Sequence, residues 1–307
     1  MQVFSAYQIV FCGVCKGFYN FHVRSAVPHA SYIGRQAIHE DVLVAGPLER
    51  FAAWHDVSLE ALAPAGIAPP LFHWLYFHNW VAASELGADG HPRRGAFLPP
   101  IDLPRRMKAG ARIEFLRALR IGDPLRRHTT IESIVPKSGA SGPLVFVTLR
   151  TEISGPSGLA VIETEDIVYR AAGLTPAVRV PETATFPEGA ITRRVVPTPV
   201  SLFRFSSLTH NSHRIHYDHP YATAVEGYPG LVVHAPLQVM LLLDLARAMQ
   251  LGGRPSHMRF QARRPLFDTS AFWCVGQRSA AGAELSTHDL AGNLCLAATL
   301  SVAPSAP

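Results

Sequence analysis

Cysteine is scarce: four residues in 307, spaced too irregularly for a disulfide framework. Cys12 and Cys15 make one CxxC pair, but Cys274 and Cys295 stand far from it, which argues against a four-thiolate zinc site. A reducing compartment, the cytoplasm, is therefore the expected location. Charge is thin as well, at 17% of residues, and the formal net charge of +5 is not gathered into any basic run. A nucleic-acid partner is not expected. No apolar run is long enough to cross a bilayer, since the richest, from Leu237 to Leu245, runs into Ala246 and Arg247 and reads as a buried helix. No membrane partner is expected either. Neither a glycine-rich phosphate loop nor a dinucleotide fingerprint is present, so nicotinamide and ATP chemistry lack support.

What the chain does have is apolar material for a large core, 48% of residues. Residues 1–30 are aromatic-rich without a basic start, and read as an extension rather than a secretory signal. From residue 31 the pattern predicts a short amphipathic helix around Leu48, Phe51 and Ala52. A long connection interrupted by proline and glycine follows, in which Leu71, Phe72, Trp74, Leu75, Phe77 and Trp80 are expected to cover a sheet face. Extended segments follow on both sides of Gly122, Asp123 and Pro124, and again on both sides of Gly155 to Gly158, which predicts antiparallel strands in an α+β unit over 31–180.

Prolines at Pro176, Pro181, Pro187, Pro197 and Pro199 mark a break, and 181–200 reads as a linker. Beyond it, over 201–307, a second unit repeats the organisation of the first. Pro236 suits a first helical turn, Leu237 to Met249 is apolar nearly all round, and Gly252 with Gly253 ends the helix. Such a helix belongs inside a protein.

The densest chemistry lies in "FSSLTHNSHRIHYDHPYA", Phe205 to Ala222, where His210, His213, His216 and His219 recur every three residues. On a helix that spacing could gather a zinc ion, but the interrupting Asn, Ser, Tyr and Pro favour turns. A polar turn with solvated imidazoles is the plainest alternative.

The stretch "NSHRIHYD", with "EGYPGLVVHAPLQ" downstream, resembles the hydratase motif of MaoC-like enzymes, closest to the branch containing mesaconyl-coenzyme A and itaconyl-coenzyme A hydratases. "DGHPRRGAFLPPIDLPRRMKAGARIEF", "SGPLVFVTLRTEI" and "LAVIETEDIVYR" resemble the first domain of the same proteins, so the likeness spans residues 31 to 303. It implies a double hotdog: two antiparallel sheets, each wrapping a central helix. It also implies reversible addition of water to a short branched or dicarboxylic enoyl-coenzyme A. No separate cofactor or metal is implied, coenzyme A being part of the substrate, and a homo-oligomer, a dimer first, is the expected assembly.

Carried onto these residues, the resemblance makes His216 the general base, since an imidazole near its usual pKa is largely neutral at pH 7. Asn211 takes the family's acidic position and can only hold water by hydrogen bonds. Ala235 replaces the usual glycine, and its N–H is expected to face the thioester oxygen at the start of the central helix. His213, Arg214 and Asp218 are candidates for polar substrate groups, and Arg259, Arg263 and Arg264 for coenzyme A phosphates. Two other readings stay open: a catalytically silent acyl-thioester-binding hotdog protein, favoured by Asn211 and Ala235, and a thioesterase.

Overall fold

The computed structural model describes residues 29–139, 142–171 and 184–304. Nearly all of the N-terminal extension, with its CxxC pair, and residues 172–183 of the proline-rich break lie outside the described residues.

The first half runs β1 (Gln36–Val42), α1 (Ala45–Trp54), the one-turn α2 (Leu59–Leu62), β2 (Arg105–Phe115), β3 (Pro124–Gly139), β4 (Gly142–Gly155) and β5 (Gly158–Arg170). The second runs β6 (Ile191–Val195), α3 (Pro199–Leu208), α4 (Ala235–Ala248), β7 (Arg254–Ala262), β8 (Phe272–Ser279), β9 (Gly282–Asp289) and β10 (Leu294–Ala303). Every strand pairing is antiparallel. The sheet order is β1-β3-β4-β5-β2-β7-β10-β9-β8-β6. Each half therefore repeats one order, and the second strands of the two halves, β2 and β7, meet at the centre. The expected α+β double hotdog is the architecture, with its two sheets joined edge to edge into one of ten strands.

The seam needs Gly110. A Cβ there would sit 2.4 Å from the Phe260 carbonyl oxygen, so a side chain would push β2 and β7 apart. From Gly110↔Gln261 the register runs to Glu114↔His257.

The helix expected from Pro236 onward begins at Ala235 and packs on β8, β9 and β10. Leu237, Val239, Met240, Leu242, Leu243 and Leu245 are all buried, which is why a helix apolar nearly all round is stable here. Its one acidic residue, Asp244, is tied to His55 Nε2 at 2.9 Å and to Arg193 Nη1 at 2.8 Å.

In the first half, α1 is shorter and leans on α3, with Trp54 Nε1 donating to the Ser201 carbonyl at 3.0 Å. The long connection covers part of the inner sheet face as expected: Leu71, Phe72, Leu75 and Phe77 are buried. Trp80 does not join them. It is 74% exposed and lies over the His210 ring, with centroids 3.6 Å apart.

The segment read as a linker is corrected in part. Within 181–200, Ile191–Val195 forms β6, because the prolines flank this stretch rather than interrupt it and its place is at a sheet edge, where proline-rich neighbours are tolerated. Thr198 then caps α3, its hydroxyl accepting from Ser201 N and the Ser201 hydroxyl from Thr198 N. Among the described residues, no helix is long and apolar enough to cross a membrane.

Candidate active site

The histidine segment leaves α3 and turns at once. His210 takes a left-handed φ of 48°, and the Asn211 N–H donates to the Ser206 carbonyl at 2.8 Å. Asn211 Oδ1 then accepts from the His213 N–H at 3.0 Å, closing a side-chain turn of the kind asparagine favours. A single tight turn over Arg214–His216 brings His216 inward, and Asp218 Oδ1 caps the following turn by accepting from Tyr221 N at 3.1 Å. Ile215, Tyr221, Tyr228, Val232 and Phe267 form a small apolar cluster that holds the loop down.

Inside the loop the His216 ring is 7% exposed, and its Nδ1 lies 2.7 Å from the Val232 carbonyl oxygen. A carbonyl only accepts, so the proton sits on Nδ1 and Nε2 carries the lone pair. Burial pushes the His216 pKa down to about 4, with the Val232 bond resisting part of that shift. His216 is therefore neutral at pH 7.

The imidazoles form a row. His234 stacks on His216 with centroids 3.7 Å apart, and His234 Nε2 lies 2.9 Å from the Ser206 hydroxyl. His213 stands edge-on to His216 at 5.5 Å, and His91, from the long connection of the first half, lies 4.2 Å beyond His213. Burial lowers all of them: His213 to about 2, helped by the neighbouring His91 and His216, and His234 well below its ordinary value. Immediately after His234 comes Ala235, the first residue of α4, whose N-terminus no side chain caps. The helix start thus offers an unshared N–H and the positive end of its dipole beside the His216–His234 stack.

The first half is joined to the histidine loop through residues 88–91. The Arg214 N–H donates to the Asp89 carbonyl at 2.9 Å, Arg214 Nη1 to the Ala88 carbonyl at 3.0 Å, and the Ser212 hydroxyl to the Gly90 carbonyl. Gly90, at φ 87°, has to be glycine: a Cβ would lie 1.9 Å from the Ser212 carbonyl oxygen. Within this loop Asp89 Oδ1 accepts from His91 N at 3.0 Å, and Asp89 Oδ2 faces His91 Nδ1 at 3.3 Å. One side-chain nitrogen or oxygen from each of Asp89, His91 and His213 lies within 4.8 Å of the other two.

The other expected site residues fall out differently. Arg214 and Asp218 pair with each other, Asp218 Oδ2 accepting from Arg214 Nε at 2.9 Å and Nη2 at 2.8 Å, while the guanidinium also covers the Tyr221 ring. Their charged groups bond each other across one turn and stay partly exposed, at 38% and 25%. Arg259 and Arg263 line a cleft of about 570 Å³ with Phe186, Glu284 and His288. Arg259 alternates with buried Met258 and Phe260, which places it on the face of the second half-sheet opposite α4 and away from His216. Arg264 is exposed just past β7. His210, His213, His216 and His219 do not converge on one point, because their turns send His216 inward and leave His219 exposed. A second cleft, of about 510 Å³, adjoins Asp89 and is lined by Arg93, Arg94, Arg105, Tyr221 and Glu226.

Sequence reasoning did not single out four polar residues that the fold gathers around His213 and His216: Asp89, His91, Ser206 and His234. "DGHP" and "VVHAP" mark two of the places, as a histidine before proline in a glycine turn and a histidine at a helix start, but nothing local announces that the two meet.

A sequence profile of the hydroxyacyl-thioester dehydratase type 2 family matches residues 71–268. The mesaconyl-C(4)-CoA hydratase of Chloroflexus aurantiacus is 44% identical over 278 residues, covering 90% of this chain and 98% of that protein. Among solved structures, a MaoC-like dehydratase from Phytophthora capsici superposes with a TM-score of 0.64 at 15% identity, covering 89% of this chain and 97% of that one. A Mycobacterium tuberculosis protein described as a double hotdog gives 0.54 at 14%, covering 88% and 96%. The chain belongs to the hydroxyacyl-thioester dehydratase type 2 family, and is a hydratase or dehydratase of thioesters.

Proposed function

We propose that the chain adds water reversibly to a short, branched or dicarboxylic enoyl-coenzyme A, mesaconyl-coenzyme A first and itaconyl-coenzyme A as the near variant. The observation that carries this reading is the buried, neutral His216, with its proton fixed toward Val232 and its Nε2 lone pair free, beside the uncapped start of α4. The likeness to the Chloroflexus hydratase supports the choice of acyl group.

Hydration then proceeds by ordinary acid–base chemistry. His216 Nε2 takes one proton from water as the water oxygen bonds to the β-carbon, and the displaced π pair moves toward the thioester oxygen. The Ala235 N–H and the α4 dipole stabilise that oxygen as charge develops. The α-carbon recovers the proton from His216, which returns the imidazole to its neutral state. Asn211 contributes its amide as a donor to the water oxygen. The coenzyme A phosphates lie against the cleft that adjoins Asp89, where Arg93 is the exposed cation, rather than against Arg259 and Arg263.

The test is a panel. Purified protein is incubated with mesaconyl-, itaconyl- and crotonyl-coenzyme A, and each intact thioester is weighed for the gain of one water. Gain on mesaconyl-coenzyme A, absent in His216→Ala, is the expected result; no gain on any member would overturn the reading in favour of a silent binder.

A further inference from the structure

Water approaching a β-carbon must surrender one proton and keep the other, so a well-built hydration site needs two acceptors: one to take a proton and one to hold the second O–H in line. In the MaoC-like motif a carboxylate sits where Asn211 stands. Asn211 is poorly suited to that part, because its acceptor oxygen is engaged by the His213 N–H and its amide nitrogen only donates.

An acceptor stands on the other side of the row, in the first half. The His91 ring donates through Nδ1 to Asp89, so its Nε2 keeps a lone pair. Burial lowers the His91 pKa against the opposing pull of Asp89, which favours the neutral ring, and Arg94 and Arg106 add their positive fields on the same side. Asp89 is anchored in turn. Its carboxylate accepts from both N–H groups of His91, and its carbonyl accepts from Arg214 in the catalytic loop. Gly90 lets the two loops touch, and the His91 ring lies against His213, itself edge-on to His216.

We propose that His91, held by Asp89, is the second water-binding group of the site, taking the place of the carboxylate that the motif lacks at Asn211. This rests on the hydratase reading given above. His91 Nε2 accepts the water O–H that stays with the product hydroxyl, while His216 Nε2 takes the other proton and returns it to the α-carbon. No atom or charge is left over. Asp89 is a positioning residue, which fixes the His91 tautomer and ring direction.

The test is a rescue. His91→Ala is expected to lower kcat by about a hundredfold with KM little changed, the scale of one lost acid–base group. Asn211→Asp keeps the bond to the His213 N–H and adds a free carboxylate oxygen, so in the His91→Ala background it is expected to restore turnover by about tenfold. Asp89→Asn, which retains an acceptor for the backbone N–H, is expected to lower kcat less than His91→Ala, again without a matching change in KM. It serves as the working variant if His91→Ala fails to fold by circular dichroism. Near-full turnover in a folded His91→Ala, or in Asp89→Asn where that variant has to serve, overturns the proposal. So does a loss that Asn211→Asp leaves unrepaired, since that pattern belongs to a loop that merely packs. A wild-type chain that hydrates no thioester overturns the hydratase reading and this pair with it.

Discussion

The two halves share one strand order and differ in what lies against the sheet. In the second, α4 fills the inner face with leucine, valine and methionine, and its uncapped start follows His234, which stacks on His216. In the first, α1 leans away toward α3 and the middle of the inner face is polar. Glu163, 5% exposed, accepts from His73 Nε2 at 3.0 Å, Trp74 Nε1 at 2.8 Å and Lys108 Nζ at 2.7 Å. Lys108 also pairs with Glu165 at 2.8 Å, and Thr129 bonds Thr151 at 3.1 Å. Burial works against the Glu163 charge, and Lys108 and His73 more than offset it, holding the carboxyl well below its usual range. A duplicated scaffold thus carries a hydrophobic helix in one half and a buried charged cluster under a long covering segment in the other. The first arrangement packs the helix that follows His234; in the second, the covering segment reaches across to bond the histidine loop through Ala88, Asp89 and Gly90.

If that division of labour holds, the largest kinetic effect sits in the second half. His216→Ala is expected to lose about a hundredfold to ten-thousandfold in turnover while folding normally, read by steady-state hydration and circular dichroism. The largest effect of the first half is on stability. Glu163→Ala removes the acceptor shared by His73, Trp74 and Lys108 and leaves Lys108 with Glu165 alone, and is expected to cost about 3 kcal/mol in denaturant unfolding, the lower end of what breaking one side of a buried ion pair costs. A cost near zero would mean that the cluster is hydrated and the contrast between the halves is overstated.

Acid sharpens the same comparison. The His216 pKa lies at about 4 in the folded chain, mainly through burial, against 6.5 for the free side chain. Between those values the unfolded chain binds a proton that the folded one refuses, so this stability is present above about pH 6.5 and is lost as pH falls toward 4. The acid limb of kcat/KM is expected below the ordinary histidine range for the same reason. A limb at or above 6.5 would mean that the base is exposed or is another residue.

The smallest effects separate the two clefts. Arg93→Ala is expected to raise KM for the thioester several-fold with kcat kept, whereas Arg259→Ala and Arg263→Ala, on the far face of the second half-sheet, are expected to stay within about twofold, as surface substitutions do. The reverse pattern would move the coenzyme A to the opposite side.

Local signals explain which parts were legible in the sequence. The extent of α4 follows from Pro236, an apolar run and the glycine pair, all features of one continuous stretch. His216 stands out for a similar reason, because its motif is contiguous. β6 was hidden by prolines that surround it without entering it. Arg214 and Asp218 are four apart and spend their charges on each other, which reads in sequence as two available groups. Asp89 and His91 were out of reach because their contacts arise from tertiary closure: a loop of the first half meets, across more than a hundred residues of chain, a turn of the second.

A composite site of this kind should direct water to the β-carbon of an intact thioester. Turnover of mesaconyl-coenzyme A in heavy-oxygen water tests it most directly, with mass spectrometry of the thioester and a thiol assay run on the same sample. The expected result is one heavy oxygen in the acyl group of the intact coenzyme A thioester, little free thiol, and no incorporation by His216→Ala. Free coenzyme A with the heavy oxygen in a released carboxylate would contradict it, because water would then have gone to the carbonyl.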